Sequence, residues 1–346
     1  GYISMRKNLP WSIHTPDDHY IYNQSFLFKP MTWIELSTKA TDEAIDWIRT
    51  LLASIHYSGK LQMTQQSNLS VTEQLSEWPF IIQMYLPNEA QSRIQVDQLL
   101  QVLSPLQRTG MMTEMQTAIV HEIPVVHDSL PIHRVGRFVM LPLHGHEYIP
   151  NGDEIPLQVE QSLAFGSGFH PATVLSLKLL EQCVTPEMHT LDLGCGSGIL
   201  SIAMAKLGAT VTAIDNDPTA IAATQQAIYQ NHVSQSVTTL VGSLGDGSQL
   251  GHWMGEALNH EVQVIQPNKD FHLIVANIFA RIHLSLVEDY RNALCNNSDR
   301  AGLLITAGYD TDYEPEIRQT FSQAGFELLD VAQIGTWVAH THQLHC

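Results

Sequence analysis

The sequence predicts a mixed α/β fold in two parts: a smaller α+β unit, then a larger, mainly parallel sheet with helices on both faces. Three observations carry that expectation. Apolar spacing over 32–126 runs strand, helix, strand, strand, helix, strand. Strand-like and helix-like runs alternate from Leu191 to Val331, the pattern of repeated β-α units. A glycine-rich run sits where an early strand of that series opens into a helix.

Each element follows in order. Trp33–Ser37 alternates as a strand does, and Asp42–Ser54 places Ile45, Ile48, Leu51 and Leu52 at helical spacing. Lys60–Thr64 and Phe80–Leu86 read as strands. Arg93–Leu103 reads as an amphipathic helix through Ile94, Leu99, Leu100 and Leu103, and Met115–Ile123 closes the unit as a strand. The order β-α-β-β-α-β is that of a ferredoxin-like split domain, here residues 31–126. Ahead of it, 1–30 form an N-terminal extension whose Trp11, Tyr20, Tyr22, Phe26 and Phe28 are too aromatic for a plain solvated tail. Behind it, 127–152 holds Pro131, Pro142, Pro150 and Gly145, a linker with one hairpin inside it. The larger domain spans 153–346. Its runs are Leu191–Leu193, Ile199–Lys206, Val211–Ile214, Ala220–Gln230, Val237–Val241, Leu273–Ala276, Ile282–Leu294, Leu303–Thr306, Pro315–Ala324 and Glu327–Val331.

Composition narrows the function. Lys and Arg number 17 against 35 Asp and Glu, a net charge of −18 over 346 residues. Binding nucleic acid through phosphates needs clustered cations, so direct nucleic-acid binding is not expected, and a cationic protein partner is. Nothing approaches the roughly 20 apolar residues of a membrane helix, and the N-terminus lacks a signal-peptide layout. Cys183, Cys195, Cys295 and Cys346 are too scattered for a disulfide framework, which points to the cytoplasm. His144, His146, His252 and His260 have no partners at metal-ligand spacing. The tail His340-Thr341-His342 with His345 and Cys346 reads as solvated or packed, so no metal is expected.

The chemistry concentrates in four runs. Leu191-Asp192-Leu193-Gly194-Cys195-Gly196-Ser197-Gly198 reads D-x-G-x-G-x-G, where Gly194 and Gly196 let the backbone approach a ligand closely. A dinucleotide fingerprint would set a pyrophosphate there; Asp192 would repel it and favour a cationic amino group. The cofactor that fits is S-adenosylmethionine, which carries an ammonium and a sulfonium. Asp215 ends the next strand, where carboxylates of such folds accept ribose hydroxyls; a solvated loop residue is the alternative. Upstream, Ala164–Thr173 feeds a G-S-G loop, with Phe165 and Gly168, into a helix start at Pro171. The free N–H groups there suit a carboxylate. Asn277 lies at a strand end, where it can accept a hydrogen bond from a substrate amine, or merely satisfy a turn. Asn277 is the expected catalytic residue. Since every cofactor motif lies between Ala164 and Asn277, the cofactor site is expected to be complete without 32–126.

These runs together resemble the PrmA-type methyltransferases of ribosomal protein L11. The family hallmark AFGTGTHPTT is similar to AFGSGFHPAT at Ala164–Thr173, and DxGCGSGILxIAxxKLGA to Asp192–Ala209. IDxDPxA resembles Ile214–Ala220, VANI resembles Val275–Ile278, and M-x-W-x-x-L resembles Met31–Leu36. The resemblance covers about 31–346. It implies a ferredoxin-like substrate-recognition domain followed by a class I, Rossmann-like methyltransferase domain. It also implies methylation of lysine side chains or the N-terminal amine of a ribosomal protein. Cofactor contacts carry over onto Thr173, Gly194, Asp215 and Asn277, with Phe165 and Gly166–Gly168 lining the site. Three departures leave room for another protein or a small amine as substrate, or for a non-catalytic cofactor-binding factor. The family's W-x-x-x-W linker is absent, 1–30 are extra, and Gly245–Asp270 is longer than its counterpart.

Overall fold

A computed structural model of the chain describes residues 32–66, 77–124, 132–142, 148–159, 167–245, 263–297 and 300–345. The extension 1–30, Ala164–Gly166, His144, His146, His252, Trp253, His260 and Cys346 lie outside the described residues.

The smaller unit is built from β1 (Trp33–Ala40), α1 (Asp42–Ser54), β2 (Lys60–Gln65), β3 (Phe80–Pro87), α2 (Ser92–Arg108) and β4 (Gln116–Val120). Its antiparallel sheet has the order β2-β3-β1-β4. Alternation along β1 sends Ile34 and Leu36 into a core shared with Ile45, Ile48 and Leu52 of α1 and Leu99, Leu103 and Leu106 of α2. Two residues expected on the buried face of α2 are not there. Ile94 is 66% exposed and Leu100 40%, because the buried stripe runs 99, 103, 106 and leaves both off its axis. α1 differs in the opposite sense. Its polar side is buried too, with Asp46 and Arg49 nearly inaccessible, because that side meets the larger unit.

The expected hairpin in the linker is β5 (His133–Val135) with β6 (Phe138–Pro142), and β7 (Ile155–Val159) adds to β6 in parallel. Val135, Phe138, Met140 and Leu157 of this small sheet pack into the core of the larger unit. The larger unit continues with α3 (Pro171–Cys183), β8 (His189–Leu193), α4 (Ile199–Lys206), β9 (Thr210–Asp215), α5 (Pro218–Gln230), β10 (Val237–Leu244), β11 (Gln263–Ile265) and β12 (Leu273–Asn277). Then come α6 (Ala280–Ser285), α7 (Val287–Ala293), the two-residue strands β13 (Asn296–Asn297) and β14 (Arg300–Ala301), β15 (Leu303–Asp310), α8 (Glu314–Gln323), β16 (Phe326–Ile334) and β17 (Trp337–Leu344).

The main sheet runs β11-β10-β9-β8-β12-β15-β17-β16. All pairings are parallel except those of β17, which inserts antiparallel between β15 and β16. α3, α4 and α5 cover one face; α6, α7 and α8 cover the other. Such two-sided burial is why these strands read as continuous apolar runs. The helix expected over Ile282–Leu294 is two helices, α6 and α7, breaking at Leu286. Ser285 Oγ donates back to the carbonyls of Arg281 and Ile282, a bond that bends helices. The tail histidines are core residues of β17: His340 and His342 are buried, with His342 stacked on Phe321.

Candidate functional site

Strand β8 turns into α4 through Gly194–Gly198, and the loop is tied to the neighbouring strand before any ligand is considered. The N–H groups of Gly194 and Cys195 both donate to Ile214 O, at 2.8 and 3.1 Å. Gly194, Gly196 and Gly198 have φ of +75°, +53° and +81°, a region that L side chains rarely adopt. Thr224 of α5 clamps the loop from outside, its hydroxyl donating to Gly196 O at 3.0 Å. A Cβ on Gly198 would sit 2.9 Å from Thr224, so helix and loop are in contact.

Two carboxylates flank this loop and are held differently. Asp215, at the end of β9, accepts the Gly196 N–H at Oδ2 and the Asp217 N–H at Oδ1, each at 3.0 Å. Asp217 itself caps α5 by accepting from Thr219 N, with Pro218 at the first helical position. Asp192 is buried in β8, and Ser201 Oγ donates to its Oδ2 at 2.6 Å. Its Oδ1 is buried with no hydrogen-bond partner among the described residues. Burial, with a smaller contribution from the charge of Asp215, pushes the Asp192 pKa up to about 7. A buried acceptor left unpaired is costly, and a cationic donor brought beside it would relieve that cost and ionise the acid.

The third wall comes from β12 and α3. Asn277 ends β12, next to β8, and its Nδ2 donates to the hydroxyl of Thr173 at 3.4 Å. Thr173 is in the first turn of α3, which His170 caps by accepting the Ala172 N–H at Nδ1, at 3.1 Å. Burial lowers the His170 pKa to about 4, so the imidazole is neutral and its Nδ1 remains an acceptor. The turn after Asn277 is fixed by Gly308 of β15. A Cβ there would lie 2.5 Å from Ile278 O and 2.8 Å from Ile278 N, so only glycine lets β15 approach.

The structure therefore brings Thr173, Asp192, Gly194, Gly196, Asp215 and Asn277 to the carboxyl ends of β8, β9 and β12, where open α/β sheets bind ligands. Gly168 leads into the same α3 N-terminus; Phe165 lies outside the described residues. An unpaired buried carboxylate oxygen, a glycine loop and a helix N-terminus form a donor and acceptor set suited to a cofactor bearing both an ammonium and a carboxylate. Among the described residues no group of His, Cys, Asp and Glu could hold a metal, and no helix is long and apolar enough to cross a membrane.

Sequence reasoning missed several contributors. Ser201 and Thr224 carry no motif of their own; only helical spacing from the loop would have singled them out. Gly308 stands in a strand run, where an isolated glycine signals close backbone approach. Phe169 and Asp46 had no local signal at all. The Phe169 ring is 4% exposed within the core of the smaller unit, and Ser167 N–H donates to Asp46 Oδ1 at 2.9 Å. These contacts seat the segment leading into α3 partly on the smaller unit.

Comparison with known proteins gives a consistent picture. The profile of the family described as ribosomal protein L11 methyltransferase (PrmA) matches residues 32–345. The chain is 35% identical over 327 residues to a ribosomal protein L11 methyltransferase of Herpetosiphon aurantiacus, covering 90% of this chain and 99% of the relative. A namesake from Chloroflexus aurantiacus is 32% identical over 326 residues, covering 90% and 98%. The crystal structure of a ribosomal protein L11 methylase from Lactobacillus delbrueckii subsp. bulgaricus superposes with a TM-score of 0.50 at 26% identity, over 63% of this chain and 99% of that one.

Proposed function

The chain belongs to the ribosomal protein L11 methyltransferase (PrmA) family, and from that premise we propose that it is an S-adenosylmethionine-dependent N-methyltransferase acting on lysine or N-terminal amines of a ribosomal protein. The observation that carries the proposal is the pairing of an unpartnered buried Asp192 oxygen with a glycine loop and Asp215 at the same sheet edge. When bound, S-adenosylmethionine supplies a methyl group on a positively charged sulfur, which an amine can take.

The chain's own residues supply positions. Asp192 and the loop at Gly194 and Gly196 hold the methionine end, and Gly168 and Thr173 at the start of α3 face its carboxylate. Asp215, oriented by two backbone amides, receives the ribose hydroxyls, since a carboxylate accepts about four hydrogen bonds. Phe165 borders the same site by resemblance. Asn277 is the catalytic residue. Its Nδ2 is engaged with Thr173, which directs Oδ1 to accept from the substrate amine and aim its lone pair. Lysine, with a pKa of about 10.4, must be neutral to react, and a dry pocket lowers that pKa. Positioning is then most of the task, and no strong base is required.

We further propose that 31–126 form the substrate-recognition domain, 127–152 the connection and 153–346 the catalytic domain, with 1–30 an extension. The net charge of −18 supports a cationic protein substrate over a nucleic acid and fits work in the cytoplasm. Labelled S-adenosylmethionine, incubated with the chain and a purified ribosomal protein L11, tests the reading. Label on protein amines is expected. Cofactor binding without any transfer would leave a non-catalytic factor, and label only on a small added amine would move the substrate class.

A further inference from the structure

The segment Ser167–His170 joins the cofactor pocket to the smaller unit, and its contacts run both ways. Toward the pocket, Gly168 fits against Met140 and Ile199: a Cβ there would lie 3.1 Å from Met140 Cγ and 3.3 Å from Ile199 Cδ1. Ile199 opens α4, the helix that follows the glycine loop, and His170 caps α3, whose first turn holds Thr173. Toward the smaller unit, the Phe169 ring lies edge-on to Phe80 of β3, centroids 5.3 Å apart and planes at 83°. Its other side stacks on His133 of the linker hairpin at 4.7 Å and 25°. Ser167 N–H donates to Asp46 of α1. Beside this contact the Trp337 ring of β17 lies edge-on to His170 at 4.6 Å. One short stretch is thus wedged between three regions far apart in the chain.

We propose that Phe169 is a positioning residue for the cofactor. With its ring seated among Phe80, His133 and the core of the smaller unit, the placement of Gly168 and of the α3 N-terminus depends on that unit's docked position. Asp46 reinforces the seat from α1. The inference rests on the reading that Gly168 and Thr173 border S-adenosylmethionine. Coupling of this kind is reciprocal: what the docked unit adds to cofactor affinity, bound cofactor returns as tighter docking.

The test uses the full chain. S-adenosylmethionine is titrated calorimetrically into the parent, Phe169→Ala, Phe169→Leu, Asp46→Ala and Asp215→Ala, well below each melting temperature, and hydrogen exchange of α1 is followed with and without cofactor. A coupling of ordinary size weakens binding about tenfold in Phe169→Ala, less in Asp46→Ala, and Phe169→Leu restores most of the loss by keeping apolar volume. In the parent, cofactor slows exchange across 42–54; in Phe169→Ala it does not. KM for the cofactor rises while kcat at saturation changes little. If Phe169→Ala fails to fold, Asp46→Ala and Phe169→Leu decide the matter by the same exchange readout. Parent-like affinity in Phe169→Ala beside a large loss in Asp215→Ala overturns the positioning role and leaves the cofactor site standing. Parent-like affinity in both overturns the two together.

Discussion

The glycine loop and the Ser167–Thr173 segment flank the proposed cofactor site, yet they are held in place by different means. The loop is tied to the next strand and helix through Ile214, Asp215 and Thr224, and to itself by the Gly198 N–H donating to Cys195 O. The segment is fixed by Asp46, 121 residues before Ser167, and by Phe80 and His133. A loop tied by near neighbours forms whenever its own β-α-β-α stretch folds. A segment tied by distant residues has its shape only once separate sheets have met. Cofactor affinity is therefore expected to have a rigid component set at the loop and an adjustable one set at the segment.

Breaking the rigid half has the largest effect. Gly196→Val places a branched side chain at a φ of +53°, where L residues are strained. Cofactor binding should be abolished in a chain whose circular dichroism is unchanged, and a variant with native affinity would reduce the loop to a plain turn. Next comes Asp215→Ala. It removes the acceptor for Gly196 N–H and, on the proposed ribose-binding role, two charge-assisted hydrogen bonds, an expected loss of about 2–4 kcal/mol of binding. Calorimetry reads it directly, and unchanged affinity takes Asp215 out of the site.

A smaller effect comes from pH. The Asp192 pKa is raised to about 7 by burial, so the folded, ligand-free protein keeps this proton up to neutrality while the unfolded chain loses it near its ordinary value. The contribution of Asp192 to stability is thus present in acid and is lost as pH rises through about 7. Binding runs the other way, because an ammonium beside Asp192 requires the ionised form. Affinity should fall about tenfold between pH 8 and pH 6, and Asp192→Asn should flatten that dependence. The smallest expected change is Thr224→Val, which removes the donor to Gly196 O while keeping the shape. About 1 kcal/mol of binding is at stake. A loss as large as that of Gly196→Val would show that the loop needs α5 as much as its own glycines.

Much of the fold was legible because it is written in short-range pattern. The β-α-β-β-α-β order, the β-α alternation and the helix starts at Pro171 and Pro218 rest on burial periodicity and capping chemistry, both local. The misplaced details have non-local causes. Ile94 and Leu100 look like core residues by helical spacing, but the side of α2 that enters the core is centred on Leu99, Leu103 and Leu106, with Val96 and Val102 at its margins. For His340 and His342 the local pattern leaves a solvated and a packed tail both open, and β17, slotted between β15 and β16, buries them. No local rule gives the order of strands within a sheet.

The candidate site divides along the same line. The sequence by itself determined the glycine loop, Asp192, Asp215 and Asn277, because strand ends, left-handed turns and caps are dictated by sterics over a few residues. Only the tertiary structure decided that the polar side of α1 is buried, that Asp46 faces Ser167 and that Phe169 leaves the cofactor segment to enter another core. Those contacts join residues far apart in the chain, 121 positions for Asp46 and Ser167, and a helix with one apolar and one polar side looks the same in sequence whether water or a second domain covers the polar one.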